Sequence, residues 1–287
     1  MLRRVKHVAF VGRKRSRRWA RRTKFEIATV AFRHVEVVRP YRYRSERYLR
    51  GAHAQRWLVH DARPCNESEF PFRVFSIWAG DNPLTNARKR NLSVLKDRLG
   101  VEHVLVTPGN LDEWLVEGQP LHPAYESLSM IHRSDYLRGY LMHHHGGGYA
   151  DIKEPLHPWA PSFADMAADA DCWVTSYPTT DANWVGKLRG PIGRDLVVRH
   201  RSMFGKSGFM MRSNTPLTAE WMAEMERRLD LAAEALAMRP ADNPFGGQDY
   251  PISWNDLLAR VLDPLTLKHA AHVRLDARML LRFEDYR

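Results

Sequence analysis

The sequence predicts an α/β fold with a mostly parallel central sheet flanked by helices. Three observations carry this. From Phe70 onward, short apolar runs alternate with helical periodicities; the first runs stop at Gly, Asn and Pro; and no internal repeat breaks the pattern. With 287 residues and 44% apolar content, the chain can bury a full core. The two cysteines, Cys65 and Cys172, are too few for a disulfide framework or a cysteine-based zinc site, which points to a reducing compartment.

Each element has a local cause. The apolar run over 74–78 ends at Gly80, Asn82 and Pro83, as a buried strand meeting a loop does. Leu92, Leu95 and Leu99 recur at helical spacing before Gly100, and "HVLVT" over 103–107 is a second short strand closed by Pro108 and Gly109. A helix is expected over 126–145, with Met130, Leu137 and Leu141 as its apolar stripe and Gly146 as the left-handed residue that stops it. Residues 149–152 then leave the glycine turn as a strand, and 172–176 and 208–211 read as interior strands. The longest helix runs from Pro216, suited to a first helical turn, through Leu217, Trp221, Met225, Leu229 and Leu236 to Pro240.

Three regions result: a basic arm over 1–24, an N-terminal extension over 25–70, and a main domain over 71–287. The extension holds β-like runs at 27–32 and 35–38, then a basic, Tyr-rich piece over 41–50. The whole chain carries 44 basic and 33 acidic residues, but 11 of the basic ones, and no acid, fall within the first 25 positions. The remainder is balanced, so a nucleic-acid-binding body is disfavoured and the excess charge belongs to the arm. Such an arm suits peripheral contact with anionic membrane, at about 1 kcal/mol per basic residue near the surface. It equally suits a solvated tail. Its apolar run, 8–12, is too short for a signal-peptide core, so a cytoplasmic setting is expected.

The chemistry concentrates in "SDYLRGYLMHHHGGGYADIK". Ser134, Asp135 and Arg138 fall within one helical turn, which places an acceptor pair beside a guanidinium fork. Glycines 146–148 carry the chain into a strand ending near Asp151, and ligands of open α/β sheets sit at the carboxyl ends of strands. A carboxylate there suits a divalent ion on a diphosphate. The histidines 143–145 do not face one another on a helix and suit its C-terminal dipole, so they are not expected as ligands. The glycine run lacks the Lys-Ser/Thr ending of a triphosphate loop, which disfavours kinase or ATPase chemistry.

This stretch resembles the signature of the DxD-containing sugar-transferase group of glycosyltransferases, which includes outer-chain mannosyltransferases and capsular-polysaccharide transferases. "IWAGDNPL" is similar to that family's first strand and nucleotide loop. The resemblance covers about 71–155 and fades by 240. It implies a GT-A fold, a UDP- or GDP-sugar donor, a glycan, polysaccharide or glycolipid acceptor, Mn²⁺ or Mg²⁺ as cofactor, and retention of anomeric configuration. By the same resemblance Ser134, Asp135 and Arg138 contact the donor together with Gly147, Gly148 and Tyr149. Trp78 and Gly80 flank the base, and Asp151 is the first acid of the DxD element and its metal ligand.

The departure is Lys153, which stands where that element has its second acid. A protonated lysine cannot ligate a metal. Either Asp151 holds an ion with ligands from elsewhere, or Lys153 itself neutralises the diphosphate. Glu154, on an extended strand, would face away from Lys153. In "FGGQDYPISWNDLL", Asp249 is a candidate second ligand or acceptor-orienting group, or simply a turn residue. Residues 183–196 are expected as a flexible lid, with Trp184 as an acceptor-stacking face or a core residue. A degenerate domain acting as an adaptor through its arm is the alternative function, and a sugar-nucleotide binder without turnover a third.

Overall fold

Alternation along the strands builds two separate cores, as a sheet covered on both faces requires. The computed structural model of the protein describes residues 41–63 and 67–284. In chain order its main elements are β1 (Arg73–Ile77), α1 (Asn86–Arg98), β2 (Glu102–Val106), α2 (Met130–His144), β3 (Gly147–Ala150), α3 (Ala160–Ala168) and β4 (Val174–Pro178). These are followed by α4 (Gly190–Val198), β5 (Phe204–Met211), α5 (Pro216–Met238), α6 (Ala259–Lys268) and β6 (Val273–Leu275). Phe75, Tyr149 and Met211 turn to a core shared with α2, α5 and α6. Their neighbours Val74, Ala150 and Met210 turn to a second core, with Leu95 and Leu99 behind α1 and Phe163 and Met166 from α3.

The six strands lie in the order β2-β1-β3-β5-β4-β6. All neighbouring pairs are parallel except the two that involve β5, which runs against both β3 and β4. The sheet is therefore mixed and mostly parallel. The ends of β1, β2, β3 and β4 and the start of β5 share one edge, and Asp151 lies there, one residue beyond β3.

Caps explain several boundaries. The helix expected from 126 starts at Met130, because residues Tyr125–Ser127 form a 3₁₀ turn and the Ser129 hydroxyl accepts the His132 N–H. Met130 is exposed, and the buried face is made by Tyr136, Leu137, Tyr140 and Leu141. Gly146 follows the helix with φ 66°, and a Cβ there would stand 2.7 Å from the Glu69 carbonyl oxygen. Thr215 and Thr218 form a reciprocal capping box at the start of α5, with Pro216 in the first turn. The strand expected at 208–211 extends back to Phe204, where pairing with Pro178 prolongs it.

The segment expected as a flexible lid is packed. It forms a 3₁₀ turn (Ala182–Trp184) and α4, which buries Ile192 and Leu196. The Gly186 N–H donates to Asp263 Oδ2 at 2.5 Å, and Gly186 lies so close to the Ala259 carbonyl that a Cβ would meet it at 2.5 Å.

From the N-terminal extension, Tyr48 and Leu58 enter the first core, while Arg47 and the Tyr48 hydroxyl both bond the Asp195 carboxylate at 2.8 Å. The arm over 1–24 and the β-like runs at 27–32 and 35–38 lie outside the described residues. Among the described residues, no helix is long and apolar enough to cross a membrane.

Candidate active site

The edge formed by the strand ends gathers an interlocked set of charges around Asp151. Helix α2 runs antiparallel to β3, so its first turns stand at this edge, and Ser134, Asp135 and Arg138 project from them. Arg138 spans the gap. Its Nη1 lies 3.4 Å from Asp135 Oδ1, its Nη2 lies 3.3 Å from Asp151 Oδ1 and 3.5 Å from Ser134 Oγ, and its guanidinium lies 4.3 Å from the centre of the Tyr149 ring. The Tyr149 hydroxyl donates to the same Asp151 Oδ1 at 2.8 Å. Arg138 and Tyr149 thus meet Asp151 directly, while Ser134 and Asp135 join the set through Arg138.

Lys153 completes the set by a route that an extended strand does not allow. The chain turns immediately after Asp151, and the Lys153 N–H bonds back to the Asp151 carbonyl at 2.6 Å. This folds the lysine side chain onto its neighbour: Nζ donates to Asp151 Oδ2 at 2.7 Å and to Ser207 Oγ at 3.1 Å. The Phe283 ring lies 4.5 Å from the ammonium. Glu154 points elsewhere, pairing with Arg98 and Arg282.

The electrostatics differ sharply between the two acids. Burial pushes the Asp135 carboxyl up to about 7; Arg138 opposes this and the charge of Asp151 adds to it. Burial also acts on Asp151, but Arg138, Lys153 and the Tyr149 hydroxyl outweigh it and hold the carboxyl at about 2. The Asp151 side chain keeps about one-fifth of its surface exposed, at 21%. A fixed carboxylate between two fixed cations therefore stands at the edge, beside an acid that titrates near neutrality.

The implied divalent ion does not fit this donor set. Both oxygens of Asp151 already accept hydrogen bonds from Arg138, Tyr149 and Lys153, so an ion there would meet two positive charges within the first layer of neighbours. Asp135, on the neighbouring helix, faces Arg138. Among the described residues no group of three or more His, Cys, Asp or Glu stands together as a ligand set.

The remaining candidates divide. Trp78 is half-buried, its indole N–H bonded to the Asn82 carbonyl at 2.7 Å, and Gly80 is buried against the Met130 thioether and the Asn82 amide; both lie on the loop after β1, at the site edge. Gly147 and Gly148 do not. They lie inside the sheet at the start of β3, where a Cβ on Gly147 would stand 2.6 Å from the Arg73 carbonyl oxygen and one on Gly148 would stand 3.0 Å from Val74. Both pack against neighbouring strands there. Asp249 is exposed, with φ 59°, and no hydrogen bond or ion pair joins it to Asp151. Trp184 is 67% exposed and lies 6.3 Å from Phe283, which in turn covers Lys153.

Sequence reasoning missed Ser207, Phe283 and Arg88. Ser207 reaches the site because β5 runs antiparallel beside β3, and its carbonyl accepts the Asp151 N–H at 2.7 Å. Arg88, in the first turn of α1, donates to the Ile152 carbonyl at 3.0 Å and adds a third cation nearby. No local signal marks these three; the pairing of β5, the first turn of α1 and the residues around 283 bring them in.

No protein-family model matches the chain, and a comparison with curated proteins returns no match either.

Proposed function

We propose that this protein is a GT-A-type glycosyltransferase that moves a hexose from a UDP- or GDP-sugar to a glycan, polysaccharide or glycolipid acceptor with retention of configuration. The observation that carries the proposal is the convergence of Arg138, Tyr149 and Lys153 on Asp151 at the carboxyl edge of the sheet, with Asp135 joined through Arg138. Side chains from a helix, a strand and a turn meet there in an arrangement that includes fixed cations, one partly exposed carboxylate, and one acid whose proton is lost near neutrality. These are groups suited to an anionic leaving group and to sugar hydroxyls.

In the transfer, the bond from the sugar C1 to the β-phosphate oxygen breaks and its electron pair stays on that oxygen. The acceptor hydroxyl attacks C1 from the same face, and its proton passes to the departing phosphate. Arg138 and Lys153 stabilise the growing negative charge, while Asp135 and Asp151 accept hydrogen bonds from ribose or sugar hydroxyls. Trp184, exposed beside Phe283, offers a stacking face on the acceptor side.

A second reading, a sugar-nucleotide binder without turnover, is favoured by one observation: both Asp151 oxygens are already engaged by protein groups. The same experiment decides between them. The full chain is incubated with UDP- and GDP-hexoses, and both thermal stabilisation and release of free UDP or GDP are measured. A transferase releases nucleotide slowly even to water, and Asp151→Ala abolishes the release. Stabilisation with no release would leave the binder, and neither response would remove both.

A further inference from the structure

We propose that in this site the Lys153 ammonium, aimed by Asp151 and assisted by Arg138, takes the place of the divalent cation and balances the charge of the bound diphosphate, so that nucleotide binding is independent of metal. The inference rests on the sugar-nucleotide reading above and deepens it by naming what neutralises the leaving group.

The geometry argues for a built cation. A lysine side chain is long and loses much rotamer freedom when held, so a fixed ammonium needs several partners. Here the backbone turn at 151–153, the Asp151 carboxylate at 2.7 Å, the Ser207 hydroxyl at 3.1 Å and the face of Phe283 at 4.5 Å together fix it. The side chain retains only 6% of its surface, so its position is set before any ligand arrives. Carboxylate and ammonium stand in the order in which a DxD acid and its ion would: the protein's acid holds a positive charge, and that acid keeps 21% of its side-chain surface at the strand-end edge. The charge is supplied by the chain itself. Arg138, on the other oxygen of the same carboxylate, extends the positive surface toward the helix. A divalent ion inserted at Asp151 would have to expel Lys153 and leave its ammonium buried and repelled.

The alternative role for Lys153 is purely structural, as one half of a covered ion pair. The two roles part on affinity for nucleotide. Isothermal titration of UDP and of GDP into the full chain, once in EDTA and once in excess Mn²⁺, reads metal dependence directly. The expected result is binding of one of them in EDTA with an affinity that Mn²⁺ alters by no more than about twofold. Lys153→Met should then weaken that binding by roughly tenfold to a hundredfold, the loss expected for a charge-assisted hydrogen bond. Lys153→Arg, which keeps the charge, should retain most of it.

Lys153→Asp supplies a second acid, and the variant should gain nucleotide-dependent Mn²⁺ binding, visible as loss of the free-ion signal in electron paramagnetic resonance. Binding by the unmodified chain that appears only with Mn²⁺ would overturn the inference while leaving the transferase reading intact. Unchanged affinity in a folded Lys153→Met protein would overturn it in favour of the structural role. No binding of either nucleotide under either condition would remove the transferase reading, and this inference with it.

Discussion

Two lysine–aspartate pairs in this protein use the same side chains for opposite ends. Lys206 meets Asp263 in the interior, and Lys153 meets Asp151 at the sheet edge; each ammonium lies against a phenylalanine ring, Phe204 in one case and Phe283 in the other. Asp263 is wholly buried and has one cation, with the Gly186 N–H as its second partner. Burial outweighs these partners and raises its carboxyl above the ordinary range. Asp151 keeps a fifth of its surface, has two cations and a tyrosine hydroxyl, and sits far below that range. The interior pair joins the 182–186 turn, β5 and α6, with only the partners that folding needs. At the edge two acids and two cations interlock, and Asp151 stays partly open to solvent. That opening, more than the presence of an ion pair, distinguishes a candidate site from a staple.

The largest test of this contrast is at the interior pair. Asp263→Ala leaves the Lys206 ammonium and the Gly186 N–H without their acceptor, and should cost about 3–5 kcal/mol in urea unfolding. Asp151→Asn should cost less, on the order of 1–2 kcal/mol, because Asp151 keeps a fifth of its surface, the amide oxygen still accepts one bond, and Lys153 keeps the Ser207 hydroxyl. It should nevertheless remove nucleotide stabilisation, which Asp263→Ala, where it folds, should retain. Equal unfolding costs for the two variants would erase the distinction between staple and site.

A smaller effect separates the two acids at the edge. The Asp135 carboxyl is raised from 3.8 to about 7, so the folded state holds its proton more tightly than the unfolded chain does. The stability from this group is complete below about pH 4 and is lost as pH rises toward 7. Melting of the unmodified protein between pH 5 and 8 should show this decline, by roughly 1–3 kcal/mol, and Asp135→Asn should flatten it. Above pH 7 the newly formed carboxylate also opposes an anionic ligand, so UDP or GDP should bind several-fold more weakly at pH 8 than at pH 6 in the unmodified protein, and equally in the variant. A profile unchanged by Asp135→Asn would place the titrating group elsewhere.

Much of the fold was legible because its signals are local. Apolar runs, helical leucines, Pro216 and Gly146 each act within a few residues, and the strands and helices they mark are present within a few positions. Legible too was the group Ser134, Asp135, Arg138 and Asp151, since one helical turn and one following strand bring it together. What could not be read depends on pairings distant in sequence. The reversal of β5 delivers Ser207, and the chain's last described residues deliver Phe283. Gly147 and Gly148 carry a related ambiguity. A glycine needed for approach to a ligand and one needed for approach to a neighbouring strand look alike until the carbonyl of Arg73 is seen beside it. Lys153 was placed on the wrong geometry because the turn after Asp151, closed by a single backbone hydrogen bond, has no residue that announces it.

The smallest expected effect is at Trp184, and it bears on the open side of the same edge. An indole with 67% of its surface exposed contributes little to the core, so Trp184→Ala should change unfolding free energy by no more than about 0.5 kcal/mol. Its ring lies 6.3 Å from Phe283, and through that ring it stands one step from Lys153. If it stacks an acceptor sugar, the variant should raise the acceptor KM by roughly tenfold, as expected for loss of an aromatic contact of about 1 kcal/mol or more, while donor affinity stays unchanged. Hydrolysis of the donor by water, which needs no acceptor, should be untouched. A loss of donor binding would instead place Trp184 on the nucleotide side, with the donor lying across Phe283 as well.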